Sequence, residues 1–162
     1  MSFRIFIALL VAFMSFSLNP SAWAYVDPVR ATPYASRVTD AFDKPAKNWH
    51  RGHRGVNLAA EPGSAIHAAE TGKVAFVGVI AGVPVISIDH PDGIRTTYQP
   101  VHAYVSQGDD VREGQIIGTL GHPTATDVGL HWGALVSKDD YINPLSLLDS
   151  PVIRLKPVDE PD

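Results

Sequence analysis

Thr71-Gly72-Lys73-Val74-Ala75-Phe76-Val77-Gly78-Val79-Ile80-Ala81-Gly82-Val83-Pro84-Val85-Ile86-Ser87-Ile88-Asp89 is the stretch that decides the fold. Its two apolar runs, 73–79 and 83–89, are rich in Val and Ile and are bounded by the glycine turns Thr71-Gly72 and Ala81-Gly82. The same rhythm continues on both sides. Upstream, 66–69 follows the turn signal Glu61-Pro62-Gly63-Ser64. Downstream come 94–98, 116–120 and 130–136, spaced by Pro91-Asp92-Gly93, Gln107-Gly108-Asp109 and Glu113-Gly114. Short β-branched runs at close spacing, punctuated by glycine turns, predict an all-β, antiparallel sheet or sandwich. No convincing helical stripe occurs beyond residue 24, and 146–148 make at most one turn after Pro144.

The chain opens with Arg4, an unbroken apolar run over 5–13, and Ala22-Trp23-Ala24 ahead of Tyr25. A short positive region, a short apolar core and a small-x-small site read as a secretory signal peptide over 1–24. The run is too short for a membrane span, so no span is expected after cleavage. The expected organisation is an extended arm over 25–48, rich in proline, one domain over 49–149, and a loosely ordered tail over 150–162. Without Arg4 the 13 basic residues fall to 12 against 17 acidic ones, a formal charge of −5. No basic stripe is left to neutralise phosphates, which excludes nucleic acid as a partner. With no cysteine, an exported chain is held by packing or by a bound metal.

Two segments carry candidate chemistry: Gly52-His53-Arg54-Gly55-Val56-Asn57-Leu58 and Leu130-His131-Trp132-Gly133. On a straight strand His53 and Asn57 stand about 13 Å apart, too far to share an ion. A bend at Gly55, using backbone angles open to glycine, is the expected solution. In the second segment side chains alternate, so Leu130 and Trp132 entering the core turn His131 toward an opposite groove. Position 129 is expected to share that face, and it holds glycine. The stretch 105–118 has two glycine turns a few residues apart, expected to send Ile116 and Ile117 into the core.

That last rhythm resembles lipoyl and biotinyl carrier domains, which present a lysine at a hairpin tip. Lys73 stands near a turn but lacks their flanking residues, so the carrier reading is weak. A longer resemblance covers about 42–148: His53-x-x-x-Asn57, Pro62-Gly63, Val85-Ile86-Ser87-Ile88-Asp89-His90, Thr96-Thr97-Tyr98, 108–118, Leu130-His131-Trp132 and Tyr141-Ile142-Asn143-Pro144-Leu145. In order and spacing these resemble the lysostaphin-type (LytM) peptidoglycan metalloendopeptidases, in a divergent, actinobacterial-type form. The resemblance implies a duplicated hybrid motif fold with a groove and one Zn²⁺. It places His53, Asn57 and His131 as metal ligands, with a zinc-activated water attacking a peptide carbonyl.

Three departures bear on activity. Asn57 stands where the family has an aspartate, Gly129 where it has the first histidine of His-x-His, and Pro100 where Tyr-x-His ends. His122 and His102 are the candidate catalytic substitutes, and Asp127 a candidate replacement carboxylate. His50, His67 and His90 read as surface or hydrogen-bonded histidines. The expected function is a secreted, cell-envelope zinc peptidase acting on peptidoglycan peptides, with impaired catalysis. The alternative is an inactive regulator or wall-binding module, whose partner would be a cell-wall hydrolase.

Overall fold

The computed structural model describes residues 25–47, 50–122 and 128–149. Eleven strands follow in order among them: β1 (Val38–Asp40), β2 (Gly55–Leu58), β3 (Ala65–His67), β4 (Gly72–Ile80), β5 (Val83–Asp89), β6 (Arg95–Gln99), β7 (Val101–Ala103), β8 (Asp110–Val111), β9 (Ile116–Leu120), β10 (Leu130–Ser137) and β11 (Asp140–Ile142). A 3-10 turn, Pro144–Leu147, is capped by Asn143, whose side chain accepts from the Leu145 N–H. The architecture is all-β and antiparallel, as the glycine-punctuated runs predict.

The large sheet has the order β1-β2-β10-β6-β5-β4-β8, with β11 extending beside β10, and a small sheet has the order β3-β9-β7. The β4–β5 hairpin closes through Ala81 at φ 50° and Gly82 at φ 84°. Two successive positive φ values give the tight turn that matches strand twist, with glycine bearing the position of larger φ. The core contains Trp132, Tyr98, Leu58, Ile66, Ile86, Ile88, Ile117 and Leu130, each essentially inaccessible. In β6, Thr96 and Tyr98 are buried while Arg95, Thr97 and Gln99 face outward. That period-two pattern leaves one face of the sheet free to carry a site.

Two expectations are corrected. Residues 25–37, expected as part of an extended arm, pack against the domain, with Tyr25 1% exposed and Asp27 0% exposed. The Asp27 carboxylate accepts from the backbone N–H groups of Val29, Arg30 and Ser36 and from the Ser36 hydroxyl. A short acid surrounded by donors in this way locks a turn that hydrophobic periodicity does not register. Nor do both isoleucines of β9 enter the core: Ile117 is buried, but Ile116 is 47% exposed. Neighbours on a strand face opposite sides, so only one of them can be inside. Trp49 and Asp127 lie outside the described residues, as do the leader over 1–24 and the tail over 150–162.

Candidate metal centre

β10 lies between β2 and β6, with His131 opposite Asn57 on one side and opposite Gln99 on the other. Leu130 and Trp132 are both fully buried, which turns His131 to the outward face. His53 stands just ahead of β2, fixed by a two-hydrogen-bond bridge between its backbone and that of Asp43. Its ring Nδ1 lies 2.8 Å from the Ala41 carbonyl oxygen. A carbonyl only accepts, so Nδ1 carries the proton and Nε2 is left with a lone pair.

That lone pair points into a triangle. His53 Nε2 is 3.2 Å from Asn57 Oδ1 and 3.0 Å from His131 Nδ1, and His131 Nδ1 is 3.0 Å from Asn57 Oδ1. Ligands of tetrahedral zinc with bonds of 2.0–2.1 Å are separated by about 3.3 Å, so these edges are close to those of a zinc face. Three lone pairs at this distance repel unless a proton or cation lies among them. The donor set therefore fits a borderline metal ion chemically as well as in shape. Among the described residues no three His, Cys, Asp or Glu side chains gather in this way; an amide oxygen completes this trio.

The three donors are neutral. Asn57 is 2% exposed and brings no charge into that environment. A carboxylate does stand behind His53, where Asp40 Oδ2 is 3.6 Å from Nδ1, but it is largely exposed. Such a partner orients the ring more than it offsets a dication.

Gly55 is needed here for a different reason from the expected one. It has no positive φ; instead a Cβ at this position would lie 2.5 Å from the Trp132 carbonyl oxygen and 2.7 Å from His131 Nε2. The glycine makes room for β10 and for the His131 ring, and the chain bends ahead of it at Arg54. Gly129 is also not simply a histidine position left empty. It lies before β10, at φ 91°, and a Cβ there would come 2.1 Å from the Leu58 carbonyl oxygen. It does not share the strand face of His131.

A groove of about 330 Å³ opens beside His131, lined also by Arg54, Thr97, Gln99, Leu135 and Tyr141 among others. None of its lining residues comes from 25–47, and that segment instead holds His53 through Ala41. Arg54 lies 5.9 Å from the centre of the Tyr141 ring. Neither His102 nor His122 lines the groove. His102 is exposed on β7 opposite Thr119, with its Nε2 against Gly121, and His122 is exposed just beyond. Pro100 is buried. His67 Nδ1 is 3.1 Å from the Pro28 carbonyl oxygen, and His90 is buried in a separate hydrogen-bonded network. Sequence reasoning does not identify Gln99, Arg54 or Tyr141, because their nearness to His131 depends on strand order rather than on spacing.

A family model, peptidase family M23, matches residues 51–144. An uncharacterized protein of Mycobacterium tuberculosis is 42% identical over 160 residues, covering 91% of this chain and 63% of that protein. The chain thus spans less than two thirds of that relative's length. Stage II sporulation protein Q of Bacillus subtilis is 34% identical over 110 residues, 64% of this chain and 38% of that protein. Among solved structures, the catalytic domain of the antimicrobial peptidase lysostaphin from Staphylococcus simulans is similar with a TM-score of 0.62 at 25% identity, over 71% of this chain and 93% of that one. A chain of the SpoIIQ–SpoIIIAH pore-forming complex gives 0.61 at 25% identity, over 82% of this chain and 95% of that one.

Proposed function

Because this chain belongs to peptidase family M23, we propose that it is a secreted, zinc-binding domain of the cell envelope that engages peptidoglycan peptides and hydrolyses them weakly. The observation that carries this reading is the triangle of His53 Nε2, Asn57 Oδ1 and His131 Nδ1, with edges of 3.0–3.2 Å. These three residues would hold the ion, and the ion supplies Lewis acidity toward a bound water or carbonyl oxygen. The chain's own contribution is to fix the two rings, His53 through Ala41 and His131 through the β2–β10–β6 register, beside a groove open to an extended peptide. Export rests on the leader read in 1–24. Among the described residues no helix is long and apolar enough to cross a membrane.

Weak rather than efficient hydrolysis follows from the surroundings. General acid–base groups act within hydrogen-bond reach of the reacting atoms. Pro100 is buried, Gly129 has no room for a side chain, and His102 and His122 do not line the groove. The same observations favour a second reading, in which the domain binds walls or a partner such as a wall hydrolase without cutting. The similarity to sporulation protein Q, solved in complex with SpoIIIAH, fits that alternative.

The test compares the wild-type chain from Tyr25 onward with Asn57→Asp and His131→Ala, measuring zinc per chain and release of labelled fragments from purified walls. The expected result is that His131→Ala loses zinc and that Asn57→Asp holds it about tenfold more tightly, since a charged ligand replaces a neutral one. Equal zinc retention in all three proteins would remove the metal assignment. If wild type and His131→Ala bind walls equally and release nothing, the non-hydrolytic reading stands instead.

A further inference from the structure

We propose that Gln99 is the residue that grips the bound peptide beside the three-donor centre. The inference rests on the peptide-binding reading above and adds to it the side chain that makes the contact.

The first support is register. Asn57, His131 and Gln99 are direct partners across β2, β10 and β6. Directly opposed residues on antiparallel strands present their side chains on the same face. Gln99 therefore stands one strand spacing from His131, about 4.8 Å, on the side away from Asn57. Its neighbours Tyr98 and Pro100 are buried, whereas Gln99 is half-buried and forms part of the groove wall with His131.

The second support is the chemistry of what else lines that wall. Arg95 is held by Asp89 through two hydrogen bonds, at 2.5 and 2.8 Å. Arg54 lies near the Tyr141 ring and donates to the His50 carbonyl at 3.3 Å. The Thr97 hydroxyl is pressed over Gly133, where an added Cβ would come within 2.5 Å of it, and Ser87 is 7% exposed. On the groove wall Gln99 remains as the carboxamide next to His131, Asn57 not being part of that wall. A primary carboxamide offers an acceptor oxygen and donor N–H groups together. That is the complement of one residue of an extended peptide, whose N–H can donate to Gln99 Oε1 while its own C=O, on the same side, accepts from Gln99 Nε2.

The same group neither takes up nor releases a proton near neutral pH. Gln99 would hold a residue of the peptide at the centre without serving as a base, which adds binding and leaves the shortage of acid–base groups as it is. In this role it is a substrate-binding residue.

The experiment uses the chain from Tyr25 onward, loaded with zinc, and soluble muropeptides from digested walls as the probe. Gln99→Met keeps the side chain's length and removes both hydrogen-bonding functions; Gln99→Ala removes the side chain. Both variants are expected to keep their zinc content and melting temperature and to bind the muropeptides about tenfold more weakly, the effect of losing two hydrogen bonds. In the wild type, the Gln99 side-chain amide resonances should shift during the titration. Binding within about twofold of wild type, static Gln99 resonances, or loss of zinc in Gln99→Met would each overturn the assignment. The outcomes separate the two levels of the argument: a wild type that holds zinc and binds muropeptides, with variants that bind equally well, removes only the role of Gln99. A wild type that does neither removes the parent reading together with it.

Discussion

Gly129 shows why the missing histidine cannot be put back by one substitution. A side chain there meets a backbone φ of 91° and a carbonyl oxygen, that of Leu58, 2.1 Å from its Cβ. Backbone atoms of a paired strand cannot swing aside as a flexible side chain can. Gly129→His is therefore expected to cost about 2 kcal/mol or more and to leave wall hydrolysis no faster than in the parent. Thermal melts and fragment release check it. An increase in turnover at unchanged melting temperature would mean that the loop before β10 rearranges freely, and the account of impaired catalysis would then need another cause. Asn57 is the opposite case. Its side chain already stands in the triangle with His53 and His131 on a paired strand, so changing it alters charge with little change of shape.

At the scale of the element, β2 is the strand on which the centre depends. It is four residues long, all buried, and is held between β1 and β10. Gly55 at its start lets β10 and the His131 ring approach closely. In Gly55→Ala the added methyl would collide with the Trp132 carbonyl oxygen at 2.5 Å and His131 Nε2 at 2.7 Å. The expected loss is about 1–3 kcal/mol of stability, together with weaker zinc retention if the proposed centre is right, because relieving the clash moves the His131 ring. Zinc affinity equal to wild type in the alanine variant would show that the ring is not held where the structure puts it. This strand also marks how far the sequence could be read. The long strands carried their own evidence: runs over 73–79, 83–89, 116–120 and 130–136 correspond to β4, β5, β9 and β10 within one or two residues. Strand β2, by contrast, is a four-residue strand beginning with glycine, and β1, β8 and β11 are two or three residues long. Such segments become strands because a longer partner is already in place, and a single sequence does not show its partners. The convergence of His53, Asn57 and His131 was anticipated from a family resemblance. The need for a reversal between His53 and Asn57 was legible from distance alone. Gln99 was not, since nothing in the order of residues reveals that β6 lies beside β10.

Across the whole molecule, the end of the sheet that carries Thr71 and His90 is joined to the N-terminal segment by a buried polar network. His90 is 5% exposed, its Nδ1 is 2.9 Å from the Thr71 carbonyl oxygen, and its Nε2 is 2.7 Å from the Thr96 hydroxyl. That hydroxyl is 2.8 Å from the Tyr98 hydroxyl, which accepts the Ala69 N–H. Every proton in the chain finds an acceptor if Tyr98 donates to Thr96 and Thr96 donates to a neutral His90. Protonating His90 makes Nε2 a donor to the Thr96 hydroxyl, so one hydroxyl proton of the Thr96–Tyr98 pair loses its acceptor, a costly outcome in a fully buried site. The Tyr25 ring is edge-on to His90 at 5.2 Å, and its hydroxyl donates to Asp92, so strain here reaches the N-terminal segment. Burial is the main cause that lowers the pKa of His90 below its ordinary value; the Thr71 hydrogen bond and the nearby Asp92, Glu70 and Asp89 act in the opposite direction. A histidine pKa lower in the folded than in the unfolded state gives a contribution that is complete above the unfolded value, about 6.5, and is lost as pH falls toward the folded one. Glu113, whose pKa is raised chiefly by partial loss of solvent and then by Glu70, acts in the opposite sense, but the residue is largely exposed and its share is correspondingly small. Wild-type stability is therefore expected to fall between pH 7 and pH 5, and to fall less steeply in His90→Gln, which cannot gain the proton. Urea unfolding of both proteins across that range provides the comparison. Parallel pH profiles would place the acid sensitivity elsewhere and would remove His90 as the residue through which pH acts on the core.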